Sequence, residues 1–274
     1  MKKILLAFAG TRFPESIFHF ARRLHEQQSL LLVGAFLPEV MYTNIYNFGT
    51  GLPGDDVVPI LSEEDEAIIE INITRFADMC QRNNITYRVH KDYDNLALPE
   101  LKKETRFADL LVINSENFYD KFSFNDPNPS LKEALHASEC PIIVVPEKFN
   151  FPDRIILAYD GSADSVYAIK QFAYLFPEMC GNETLLVYIN EKDGLQLPDE
   201  HNIEELVGQH FKNLDLLKLQ INAKKYFSTW LSENKNALLV GDSFGRSPLS
   251  ELFRESFVAE IISEHKMPVF IAHR

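Results

Sequence analysis

Residues 153–165 read DRIILAYDGSADS, and residues 2–16 read KKILLAFAGTRFPES. Each is an apolar run, then a glycine turn, then a polar residue able to cap a helix. Apolar residues at helical spacing follow in SIFHFARRL (16–24) and SVYAIKQFAYLF (165–176), and then a second apolar run in SLLLVGAFL (29–37) and ETLLVYIN (183–190). Both copies also close alike. ADLLVIN (108–114) and NALLVGD (236–242) are unbroken runs, and CPIIVVPE (140–147) and MPVFIAHR (267–274) end each unit. Val/Ile/Leu runs that alternate with helical segments predict parallel strands covered on both faces. The expected class is α/β, two tandem doubly wound, Rossmann-like domains with five-stranded parallel sheets, at 1–149 and 150–274. Their junction falls at PEKFNFPD (146–153), where two prolines and polar residues interrupt both copies.

The middles of the copies differ. Residues 37–61 form a long excursion that ends at Ser62–Asp65, a capping-box-like start placing carboxylates at the positive end of a helix. Ile69, Ile73, Phe76, Ala77 and Cys80 then share one face. YRVHKDYD (87–94) and PELKKETRFA (99–108) complete the first unit. In the second, the connection 191–210 is shorter, and NLDLLKLQ (213–220) and AKKYFSTWLSEN (223–234) supply a strand and a helix, with Trp230 read as core.

Composition narrows the function. The chain has 274 residues and a formal charge of −13, which disfavours nucleic acid and anionic membrane as partners. Cys80, Cys140 and Cys180 are too scattered for a disulfide framework or a metal site and read as reduced structural thiols. MKKILLAFAG reads as a strand rather than a leader, and no run approaches the roughly 20 apolar residues of a membrane span. The expected compartment is the cytoplasm. Neither His136 nor His265 has a visible nucleophile or orienting partner, so no catalytic or metal-binding residue is assigned.

The candidate ligand site lies in the second copy. VGDSFGRSPLSELFRESF (240–257) follows a buried run, so Gly241 and Gly245 are expected at the strand-to-helix turn, where backbone N–H groups can meet an anion. Arg246 adds a cation, Ser247, Ser250 and Ser256 add hydroxyls, and Pro248 suits a first helical turn. The adjacent strand end, Ala158-Tyr159-Asp160-Gly161-Ser162, brings a carboxylate suited to ribose hydroxyls. The first copy has Ala9 in place of Asp160 and no glycine pair between Asn114 and Ser130.

At these residues the chain resembles the universal stress protein family in a tandem two-domain form, over essentially its whole length. Nucleotide-binding members carry Gly-x2-Gly-x9-Gly-Ser/Thr after the fourth strand, with an Asp ending the first. Here three residues separate Gly241 from Gly245, and nine more lead to Glu255 and Ser256. The resemblance implies that Asp160 and the backbone around Tyr188 contact a nucleoside, while Gly245, Arg246 and Ser256 face phosphates. The implied ligand is ATP or another adenine nucleotide, accompanied by Mg2+. The first unit is expected to be a nucleotide-free partner. The resemblance also implies pairing of the two units through their last strands, Pro141–Val145 against Pro268–Ala272, with a further homodimer left open.

Glu255 stands where the family has a glycine. A carboxylate about 5 Å from a phosphate charge would cost roughly 3 kcal/mol at an effective dielectric near 20. Arg246 or Arg254 can neutralise it, or it can face solvent. Two alternatives therefore stay beside the nucleotide-binding reading: a structural or protein-interaction module, and an adenylating or ATP-hydrolysing enzyme. The enzyme reading is the weaker, because DGSADS puts a carboxylate where a pyrophosphate loop needs a phosphate contact.

Overall fold

The computed structural model describes residues 1–9, 11–37, 62–91, 97–116, 138–189, 196–219, 236–242 and 267–273. In the first half, β1 (Lys2–Ala9), α1 (Glu15–Gln27) and β2 (Leu30–Leu37) are followed by α2 (Glu63–Arg82), β3 (Thr86–Lys91), α3 (Ala97–Thr105), β4 (Leu110–Asn114) and β5 (Ile142–Val145). The second half repeats the pattern with β6 (Arg154–Tyr159), α4 (Ala163–Leu175), β7 (Glu183–Ile189), α5 (Glu200–His210), β8 (Asn213–Leu219), β9 (Ala237–Asp242) and β10 (Val269–Ala272). Helix α5 occupies the stretch read from sequence as a bare connection, and it is the counterpart of α2. The helix expected at 223–234 lies outside the described residues.

One ten-stranded sheet runs β3-β2-β1-β4-β5-β10-β9-β6-β7-β8. Each half contributes five parallel strands in the same internal order, and the halves meet where β5 and β10 pair antiparallel, Val144↔Val269, Ile143↔Phe270 and Ile142↔Ile271. The paired stretch is shorter than the expected segments, because Pro141 and Pro268 precede the strands and lack an N–H for the ladder. The fold is the expected pair of doubly wound units joined into a pseudo-dimer within one chain.

Strand residues alternate between two cores. Ile4, Leu6 and Phe8 face a cluster built with α1, α2, α4 and α5, through residues such as Phe20, Phe76, Phe172 and Val207. Leu5 and Ala7 face the other side, with Leu101 of α3. Both faces are apolar, which is why the strands read as unbroken hydrophobic runs. Ser62 caps α2 by accepting from Asp65 N, and Glu63, Glu64, Asp65 and Glu66 fill its first turn, so the acidic cluster is a helix start.

Candidate functional site

The geometry of the site follows from strand order. β6 pairs with β9 as far as Leu157↔Val240. Beyond that rung β6 stays with β7 to Tyr159↔Tyr188, while β9 stays with β10 through Gly241↔Ile271 and Asp242↔Ala272. In the strand order β6 is followed by β7 on one side and β9 by β10 on the other, and such a switch point is where open α/β sheets take ligands. The first copy parts at the equivalent rung, Leu6↔Val112.

In the second copy the end of β6 and its turn carry Ala158, Tyr159, Asp160, Gly161 and Ser162, with Tyr188 opposite Tyr159 on β7. Tyr159 and Tyr188 are 3% and 8% exposed, with ring centroids 6.5 Å apart. Asp160 is partly buried, and its Oδ1 accepts the Ser162 N–H at 2.8 Å. Ser162 caps α4: its Oγ accepts from Ser165 N at 3.0 Å, and Ser165 Oγ donates back to Ser162 O at 2.9 Å. Gly161 has φ +84°, a conformation that L side chains rarely adopt.

Sequence reasoning missed the segment that covers this turn. A Cβ on Gly161 would lie 2.7 Å from Pro198 Cβ and 2.9 Å from Pro198 Cγ. The Tyr159 hydroxyl donates to Pro198 O at 2.9 Å. Burial first, then the charges of Asp199 and Asp160 and the nearby Tyr188, raise the Tyr159 pKa, so the phenol stays a donor. No local pattern announces a proline resting on a glycine 37 positions earlier.

Gly241 does not stand at the turn. It is buried within β9 on the rung with Ile271, because the ladder with β10 extends to Asp242. Its counterpart in the first copy is Ile113, a core residue on the rung with Val144. Gly245, Arg246, Ser247, Glu255 and Ser256 lie outside the described residues.

The first copy treats the same place differently. Phe8 and Phe36, the counterparts of Tyr159 and Tyr188, stack at 4.7 Å, and Phe13 stacks on Phe8 at 4.8 Å and 6°. The Arg75 guanidinium lies 4.8 Å over the Phe13 ring. Asn114 Nδ2 donates to Ser16 Oγ at 2.8 Å and to Glu147 Oε2 at 2.9 Å, and Ser16 Oγ donates to Glu147 Oε2 at 3.1 Å. The β1–α1 turn is two residues longer than the β6–α4 turn, and that insertion, visible in the sequence, carries Phe13.

Among the described residues no group of His, Cys, Asp and Glu is placed to hold a metal ion. No helix among them is long and apolar enough to cross a membrane.

This arrangement is that of the universal stress proteins, taken as a fold. A universal stress protein from Archaeoglobus fulgidus superposes with a TM-score of 0.69 at 16% identity, covering 100% of this chain and 96% of the other. A putative universal stress protein from Pseudomonas aeruginosa matches with a TM-score of 0.54 at 10% identity, covering 99% and 92%. A functionally unknown protein from the same species matches with a TM-score of 0.57 at 10% identity, again over 99% and 92%. No family model and no curated protein matches the sequence.

Proposed function

We propose that the chain is a cytoplasmic tandem universal stress protein whose second unit, 150–274, binds or senses an adenine nucleotide without catalytic chemistry. The first unit, 1–149, is its ligand-free structural partner. One observation carries this reading: the two switch points have diverged in opposite directions. The second has Asp160, Tyr188 and Gly241 where the first has Ala9, Phe36 and Ile113, and the first adds the stacked Phe13. Asp160 is suited to ribose hydroxyls, and the capped start of α4 orients its turn. ATP with Mg2+ is the form expected, with Gly245, Arg246, Ser247 and Ser256 toward the phosphates.

A second reading, a protein-interaction module without ligand, is favoured by Pro198 lying over Gly161 and by Gly241 being held within the ladder. Melting the full chain with and without ATP separates the two. At 100 times its Kd, ATP stabilises by about 2.7 kcal/mol, a shift that Asp160→Ala should abolish. Absence of any shift at millimolar ATP, with no nucleotide released from the protein as isolated, refutes the nucleotide reading. Phosphate or pyrophosphate release in proportion to protein would instead favour an enzyme.

A further inference from the structure

We propose that Leu197–Asp199 is a strap closed over the β6–α4 turn, latched by the Tyr159 hydroxyl, and that it must open before a ligand can lie against the Gly161 backbone. The inference rests on the nucleotide reading only for the identity of that ligand.

Two contacts hold the strap shut. Pro198 sits directly over Gly161, in space that any side chain there would fill. Anything approaching that backbone from the side of the absent Cβ must displace the ring. The second contact is the hydrogen bond from Tyr159 to Pro198 O, which joins residues 39 apart in sequence. Tyr159 is buried, so releasing the strap leaves its hydroxyl without that partner unless a ligand or water replaces it.

The strap is built to be reversible. Leu197 is 2% exposed and anchors one end in the core. The other end is Asp199, which enters α5 in the left-handed region, φ 48° and ψ 38°, and makes no side-chain cap. A non-glycine residue in that conformation, at an uncapped helix start, is a place where the chain can change course at little loss. The charges of Asp199 and Asp160 both act on the Tyr159 phenol, so the latch hydroxyl lies between carboxylates of the strap and of the turn. The first copy has Phe8 at the latch position and therefore no hydroxyl to make this bond.

The test uses the full chain, its Tyr159→Phe variant and ATP as the probe. Amide exchange over residues 199–207 reports the strap, and calorimetry reports ATP affinity. Removing the hydroxyl should speed exchange there by roughly fivefold, the effect of one net hydrogen bond. It should also tighten ATP binding by a similar factor, because the closed state no longer competes. Unchanged exchange overturns the latch. Faster exchange with unchanged or weaker affinity, in a protein that binds ATP, overturns the gating and leaves the nucleotide reading standing. Binding by neither protein overturns the nucleotide reading and with it the gating of ATP, while the latch itself stands or falls by the exchange data. Should Tyr159→Phe lose its native circular dichroism, Pro198→Ala, which removes the ring from Gly161, is read by the same two measurements.

Discussion

Phe270 of β10 lies directly opposite Ile143 of β5, and both are fully buried. The Phe270 ring also meets Phe172 at 5.3 Å and Phe176 at 6.1 Å. One rung thus ties the joint between the halves to helix α4 and the segment after it. It also covers two apolar strand edges that would otherwise be open to pairing with another chain.

Phe270→Ala should therefore destabilise the whole chain by about 3–5 kcal/mol, and Ile143→Ala by about 2–5 kcal/mol. Urea unfolding followed by far-ultraviolet circular dichroism checks this. A single transition in the parent protein and two separated transitions in Phe270→Ala would show that this rung couples the halves.

Glycine has opposite values at two positions of the second half. Gly161→Ala forces a Cβ against Pro198 at φ +84° and should cost about 1–3 kcal/mol. Gly208 lies in α5 with no atom near its would-be Cβ, so Gly208→Ala should gain about 0.5–1 kcal/mol. Paired melting curves of the two variants test the contrast.

The three thiols make stability fall in alkali. Burial pushes Cys80 and Cys140 from 9.0 up to about 12 and Cys180 up to about 11. Between pH 9 and these values the unfolded chain has lost protons that the native chain keeps, so the unfolded state is favoured as pH rises. Denaturation midpoints at pH 8, 9 and 10 should decline, and Cys80→Ala should flatten the decline. Native protein should react slowly with a thiol reagent at pH 8, and unfolded protein quickly.

Helix α4 ends without a basic residue in its last turn, and the other half supplies its cap. The Lys2 ammonium and Gln28 Nε2 both donate to Leu175 O, and Lys2 also donates to Gln28 Oε1 at 2.7 Å. Lys2→Met should cost about 1–2 kcal/mol by leaving that carbonyl poorly satisfied. Faster amide exchange at the end of α4, read by mass spectrometry, would localise the loss.

Much of the architecture is legible in the residues. The runs at 4–8 and 155–159 can only be strands buried on both sides, and their repetition with matched helical segments specifies two like units. The exchange of Asp160 for Ala9 is likewise legible there as a difference between the copies. The helix at 200–210 escaped notice because only Ile203 and Val207 of it are buried, too few for a clear apolar stripe.

The amino-acid sequence determined the duplication, the strands and the difference between Asp160 and Ala9, since each is written in local pattern and burial demand. The tertiary structure alone decided that Gly241 belongs to the ladder, that Phe13 stacks on Phe8, and that Pro198 covers Gly161. Such contacts depend on where strands part and how a distant segment returns across their ends, and local spacing encodes neither.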